Sequence, residues 1–523
     1  MKRLTNQTER EAAQREIAAL LAARGEWVCS EAGRLRSAPT TVRAVEWEVR
    51  LSAGGVHFSF WSDVGLRVWR VAAWEWTGER LVIEATRRAG AERAMLELVP
   101  RSSIQAGLAV LRAARGEACE RLARLACDAP PPGALKIVRA RLSAGARRSE
   151  PGRYARISLR RGRGLIAVTG PVVDLGKQEA DAVVSSALLW WSRLQQRAGK
   201  ERVTELWLLV PHELREGVRQ RLALLREEVL RDLRLYEIDE EWRTLTLVPL
   251  PKLNELLTAQ PRSPAAPRDE LSEAARRIVA LAPAEIDAVR ARHGETLRYH
   301  GLPFARVRRV AEQEHVWFGT GKGTERRLLD KRSWPQLAKL LDELIAHRRA
   351  DTPDARHALY RALPEAWLES LLRRDITRLD PGLVVSPLHA QFRLARAARG
   401  AGSRPVDLLA LRRDGRLVVI ELKVSEDVAL ALQAADYWRR IEAHRRHGHI
   451  ARARLFGDAG MTDEPPLVYL AAPGLRFHRA FQTLASCITP EIEMYRFDIN
   501  EDWRTGVRVL RRTRVSEDVD GLV

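Results

Sequence analysis

The chain repeats itself, and an internal repeat of this size constrains the fold more tightly than any single motif. Gly65-Leu-Arg-Val-Trp-Arg-Val71 parallels Gly301-Leu-Pro-Phe-Ala-Arg-Val307, and Arg160-Arg-Gly-Arg-Gly-Leu-Ile-Ala-Val168 parallels Arg412-Arg-Asp-Gly-Arg-Leu-Val-Val-Ile420. Leu188-Leu-Trp-Trp191 falls where Ala435-Asp-Tyr-Trp438 does. Leu235-Tyr-Glu-Ile-Asp-Glu-Glu-Trp-Arg-Thr244 echoes Met494-Tyr-Arg-Phe-Asp-Ile-Asn-Glu-Asp-Trp-Arg-Thr505. Four matches in the same order describe one unit used twice, over residues 65–250 and 301–510.

Alternation of apolar and polar residues sets the class of that unit. Residues 26–100 alternate strongly and are rich in Trp and Val, as in Leu66-Arg-Val-Trp-Arg-Val-Ala-Ala-Trp-Glu-Trp76, and so read as antiparallel strands. Residues 102–126 turn helical. After the Pro130-Pro-Pro-Gly133 break come strands at 135–142 and 154–170, a helix at 177–197, a strand at 203–210, a helix to about 232 and a strand pair to 249. Strands mixed with helices around one core make an α/β (α+β) fold. Gln260-Pro-Arg-Ser-Pro-Ala-Ala-Pro267 is the clearest linker. The expected organisation is a helix and strand-rich domain (1–100), a mixed-sheet domain (101–250), a linker (251–275), a small strand-rich and helical segment (276–360), a second mixed-sheet domain (361–510) and a C-terminal tail (511–523).

At 46% hydrophobic and 30% charged residues over 523 positions, the chain is too apolar to be disordered. Its formal net charge of +20 exceeds what solubility needs and points to a polyanionic partner. The basic residues are mostly Arg and are spread along the chain, which favours nucleic acid over a membrane surface. Cys29, Cys119, Cys127 and Cys487 form no C-x-x-C pair, which excludes a zinc ribbon and a disulfide framework. No apolar signal core and no membrane-length apolar run is present, so a cytoplasmic protein is expected.

The chemistry concentrates in the second copy. Arg404-Pro-Val-Asp407 opens a strand, an Asp414-Gly415 turn follows, and Glu421-Leu-Lys423 ends the return strand, which makes a hairpin. Residues two apart on a strand share a face, so Glu421 and Lys423 point together, and pairing through the turn brings Asp407 beside them. Two carboxylates next to apolar strand are costly to bury unless a divalent cation lies between them. Mg²⁺ takes hard oxygen ligands and retains waters, a bound water becomes nucleophilic near neutral pH, and a neighbouring Lys orients it or stabilises charge on a phosphate.

These residues resemble the PD-(D/E)xK nuclease superfamily and, within it, the NucS-like endonucleases. Pro405-Val-Asp407 stands for the PD element and Glu421-Leu-Lys423 for the ExK element, and Leu432-Gln433-Ala-Ala-Asp-Tyr437-Trp438 matches the helix carrying Gln and an aromatic. Leu363-Pro-Glu365-Ala-Trp-Leu-Glu369 supplies two candidates for the acidic residue on the preceding helix, with Glu365 preferred over Glu369. The resemblance spans 363–510. It implies a central mixed sheet flanked by helices and Mg²⁺- or Mn²⁺-dependent cleavage of DNA or RNA strands, with DNA the expected partner here. Asp407, Glu421 and Glu365 carry over as metal ligands, Lys423 as the group that orients water or stabilises charge, and Gln433 as a helper. The alternative is a nucleic-acid-binding scaffold of the same fold whose site does not cut.

Matching Leu165 to Leu417 places Ala155 at the Asp407 position, Thr169 at Glu421 and Pro171 at Lys423, and matching Trp191 to Trp438 places Ser186 opposite Gln433. The N-terminal copy therefore reads as a degenerate nuclease-like domain, and one chain as having one cutting centre. A double-strand break then needs a homodimer or a second binding event. Phe318-Gly-Thr-Gly-Lys-Gly-Thr324 lacks the leading glycine of a phosphate loop and reads as a hairpin. His444-Arg-Arg-His447-Gly-His449 reads as a helix end, and the early tryptophans read as core.

Overall fold

Alternating apolar positions account for four sheets, divided between two compact units. The computed structural model describes the chain except for residues 33–39, 44–45, 63–64, 79, 88–89, 91, 130–134, 146–149, 177–178, 197–202, 262–270, 292–293, 311–312, 321–325, 385–388, 393–405, 458 and 516–523. Pro130–Gly133, most of the 260–267 linker, Gly321 to Thr324 of the glycine-rich segment, Arg404, Pro405 and the last eight residues of the expected tail lie outside the described residues.

Unit 1 comprises residues 1–179, 190–219 and 231–249. Its first part is an eight-stranded antiparallel sheet between Lys2–Arg3 and Glu92–Pro100. Period-two alternation turns Val56, Phe58 and Phe60 to one face, where the helix Gln7–Ala22 adds Ala13, Ile17 and Leu21. A capping box starts that helix: Asn6 accepts from the Glu9 amide, and Glu9 accepts from the Asn6 amide. Trp27, Trp69 and Trp74 lie in this core, whereas Trp61 is exposed.

The second part of unit 1 is a six-stranded sheet: β1 (Lys136–Ala144), β2 (Pro151–Arg161), β3 (Gly164–Pro171), β4 (Val203–Pro211), β5 (Leu233–Ile238) and β6 (Leu245–Val248). Helix α1 (Ala180–Gln196) joins β3 to β4, and α2 (His212–Leu222) follows β4.

Unit 2 comprises residues 180–189, 220–230 and 250–523. A five-stranded antiparallel sheet between Ile286–Ala291 and Arg327–Leu328 packs with the helices Glu273–Val279 and Trp334–His347 around Phe304, Leu297 and Leu344. Helix α3 (Pro364–Arg374) leads to a second six-stranded sheet: β7 (His389–Phe392), β8 (Val406–Leu411), β9 (Leu417–Leu422), β10 (Leu467–Pro473), β11 (Met494–Ile499) and β12 (Val509–Arg514). Helix α4 (Leu430–Arg446) joins β9 to β10.

Both six-stranded sheets run in sequence order, and in both the successive pairings are antiparallel, antiparallel, parallel, parallel and antiparallel. The molecule is a mixed α+β fold of several domains. Among the described residues, no helix is long and apolar enough to cross a membrane. The boundary expected at 510 falls within β12, which runs to Arg514 as it continues its ladder with β11, pairing Tyr495 with Arg514.

In the sheet of unit 2, β9 is buried on both faces. Val418 and Ile420 pack with Trp367 and Leu368 of α3, while Leu417 and Val419 pack with Tyr437 and Ile441 of α4. Burial on both faces explains the unbroken apolar run Leu417–Ile420. The entry to α3 is fixed tightly. The buried Arg348 guanidinium donates to the carbonyls of His300, Leu359 and Ala362, and Gly301 adopts φ +78 against the helix backbone. A Cβ on Gly301 would lie 1.9 Å from the Ala366 carbonyl oxygen. Gly301→Ala should therefore cost about 3 kcal/mol, from backbone strain and overpacking together. A loss below 1 kcal/mol in denaturant unfolding would show that α3 is not fixed there.

Candidate active centre

The hairpin register determines which charges meet. Leu408 pairs with Ile420, and continuing that register sets Asp407 opposite Glu421 at the open end of β8 and β9. Gly415, at φ +84, closes the turn in a conformation that other residues rarely adopt. Asp407 Oδ2 accepts from the Leu422 amide at 2.8 Å. Glu421 is 1% exposed; its Oε1 accepts from Gln433 Nε2 at 2.7 Å and pairs with Lys423 Nζ at 3.0 Å. Its other oxygen, Oε2, is buried with no hydrogen-bond partner among the described residues.

Four of the expected residues, Asp407, Glu421, Lys423 and Gln433, are thus assembled at one end of the sheet. Gln433 sits on the first turn of α4, and its amide also donates to the Tyr437 hydroxyl at 3.0 Å one turn on. Glu365 occupies the first turn of α3 and is close enough to raise the Lys423 pKa, second only to Glu421 among the carboxylates. Glu369 is buried and held by Arg298, whose guanidinium also binds Asp287. Among the described residues no three His, Cys, Asp or Glu side chains form a group ready to hold a metal ion, although the charge of Glu365 is felt by both Asp407 and Glu421.

The electrostatics follow from burial. Desolvation pushes Asp407 up to about 7, against the Leu422 amide and Lys423. Desolvation, followed by the charge of Asp407, raises Glu421 well above the usual carboxylate range. Burial alone would lower Lys423, but Glu421, Glu365 and Asp407 outweigh it and hold the ammonium charged. Tyr437, the aromatic of the motif helix, joins the cluster through its hydroxyl, and Asp427, 3.6 Å from Lys423 Nζ, is an addition that no sequence feature announced because residues 423–427 are not helical.

The corresponding end of the N-terminal sheet differs, and it corrects one expected position. Thr169 pairs with Leu208 three residues before Pro211, as Glu421 pairs with Leu470 three residues before Pro473. Across the hairpin, however, Thr169 faces Arg156, so the residue at the Asp407 position is Arg156 and not Ala155. The turn after Arg161 encloses two residues before Gly164, whereas that between Arg412 and Arg416 encloses three, which shifts the first strand by one. Arg156 is buried, donates to Thr169 Oγ1 at 2.8 Å and lies 4.9 Å from the Trp190 ring centre.

The histidine tract sits where α4 ends. Gly448 adopts φ +65, His444 and His449 face each other through Nδ1 at 3.1 Å, and His447 Nδ1 contacts the Ala443 carbonyl.

No protein-family profile matches the chain, and no curated protein matches it. Among solved structures it is similar to a chain titled "Structure of EndoMS-dsDNA2 complex", at 11% identity and a TM-score of 0.13, covering 41% of this chain and 90% of that one. A likeness of that size carries no argument about function, which rests on the geometry above.

The Asp407 shift gives a test in metal-free buffer. A carboxyl raised in the folded state adds stability below its unfolded pKa of about 4 and loses it as pH rises through the folded value. Stability should therefore fall between about pH 4 and pH 7 through this group. Asp407→Asn should flatten that fall and raise the melting temperature at pH 8; an unchanged profile would show that Asp407 is not desolvated.

Proposed function

We propose that the chain is a metal-dependent endonuclease that hydrolyses phosphodiester bonds in DNA. The observation that carries this reading is the buried, partnerless Oε2 of Glu421 beside the desolvated Asp407. Two such carboxylates suit a hard divalent cation, Mg²⁺ or Mn²⁺, which Asp407 and Glu421 would hold; Glu365, not grouped with them in this structure, would become the third ligand only by moving toward the pair. A bound ion of this kind supplies positive charge to the scissile phosphate and makes water acidic enough to attack it near neutral pH.

The chain's own residues do the rest. Gln433 fixes the Glu421 carboxylate through Oε1 and leaves Oε2 for the ion. Lys423, kept charged by its neighbours, orients the attacking water or stabilises the charge gathering on the phosphate. Arg298 engages Glu369 and so leaves Glu365 as the available carboxylate of α3. The net charge of +20 holds the phosphate backbone against the acidic cluster and makes binding steeply salt-dependent.

The matching strand orders of the two six-stranded sheets support an ancient duplication. With Arg156 and Thr169 at the ligand positions of the first sheet, the chain has one cutting centre and nicks one strand per encounter. Supercoiled plasmid with Mg²⁺ should pass through a nicked form, and Lys423→Ala should lower the rate about 100-fold or more at unchanged DNA affinity. Equal cleavage by both proteins, or none by either, would leave a binding scaffold in place of the enzyme.

A further inference from the structure

Helix α4 carries the only residue seen to orient Glu421 from outside its own strand among the described residues, so whatever places α4 places Gln433. One turn beyond Gln433, and beside Tyr437, the side chain of Asp436 is fully buried. Three guanidiniums surround it. Arg439 and Arg440 come from the same helix at i+3 and i+4, with contacts of 2.7 and 2.5 Å. They neutralise Asp436 from its own helix, and of the two Arg439 also reaches Gln220 of α2.

The third is Arg221, at the end of α2, within the 220–230 segment of unit 2. Its Nη2 lies 3.0 Å from Asp436 Oδ2, and its Nε donates to Asp181 Oδ1 at 2.8 Å, in the first turn of α1. The adjacent Gln220 accepts from Arg439 at 3.2 Å. The fork geometry of a guanidinium lets one side chain hold two carboxylates on different elements, which an ammonium cannot reproduce. Burial alone would raise Asp436, but Arg221, Arg439 and Arg440 outweigh it and hold the carboxyl well below its ordinary range.

We infer that Arg221 is a positioning residue for the cleavage centre: it ties α4, through Asp436, to α1 and α2, and thereby sets Gln433 against Glu421. This deepens the nuclease reading and rests on it.

The test compares wild type, Arg221→Met and Arg221→Lys as full-length chains on supercoiled plasmid at saturating Mg²⁺, with melting curves to measure the folded fraction. In folded Arg221→Met, kcat should fall about 10- to 100-fold, as displaced catalytic groups require, with KM within about twofold of wild type. Arg221→Lys, which keeps the charge but loses the fork, should lie between them, and it carries the test if the Met protein does not fold. Mn²⁺ titration followed by electron paramagnetic resonance, without DNA, should show weaker binding in the same order. Wild-type kcat and Mn²⁺ affinity in either folded variant, or a change in KM alone, would overturn the inference. A wild type that cuts while its Arg221 variants match it defeats this inference only; a wild type that never cuts defeats the nuclease reading itself.

Discussion

Everything at the open end of the second six-stranded sheet is arranged around one unfavourable fact, the Glu421 carboxylate buried opposite Asp407. Removing a charge from water costs several kcal/mol even after relaxation, and a second carboxylate across the strand adds to it. Lys423 and Gln433 meet only one of the two Glu421 oxygens. The remaining oxygen can be satisfied by a proton or by a cation, and the raised Asp407 and Glu421 pKa values record that choice in the absence of metal. Of the two carboxyls Asp407 is pushed up to about 7 and Glu421 well above the usual carboxylate range, both chiefly by desolvation.

The helix opposite solves a related problem by division of labour. Glu365 and Glu369 lie one turn apart on α3, and sequence spacing ranks them weakly because each suits a helix on its own account. The structure separates them through their partners. Arg298 and the nearby Asp287 hold Glu369 in a buried ion network, while Arg348 and Gly301 fix where the helix begins. Glu369 thus anchors α3, and the anchored helix presents Glu365. Losing Arg298 would strip the buried Glu369 of the guanidinium that meets both its oxygens, a larger penalty than the ion pair is worth in stability.

What could be read from the residues was local. The Asp414-Gly415 turn, the period-two strand and the one-turn spacing of Gln433 and Tyr437 all depend on neighbours in the chain, and each was legible before any contact was known. The pairing of Asp436 with Arg221 was not, because α4 shows only a charge run with its own arginines, and the distant partner emerges from packing. The extent of β12 past residue 510 was hidden for the same reason, since its ladder with β11 is a contact between strands and not a local pattern. The Arg156 position failed through a single residue of turn length, since matching Leu165 to Leu417 carries one constant offset across two hairpins whose turns differ by one residue.

That one-residue correction sharpens the contrast between the sheets. At matching positions, one places Asp407 and Glu421, and the other places Arg156 and Thr169. The first arrangement has two acidic groups and lacks a partner for a buried oxygen; the second has a guanidinium bonded to a hydroxyl and resting on Trp190. A buried carboxylate pair is hard to account for as packing when the same strand order accommodates a pair that needs no external ion. The N-terminal sheet sets one cation against a neutral hydroxyl at that place, whereas the C-terminal sheet sets two carboxylates against the single ammonium of Lys423 and leaves one buried oxygen without a hydrogen-bond partner among the described residues.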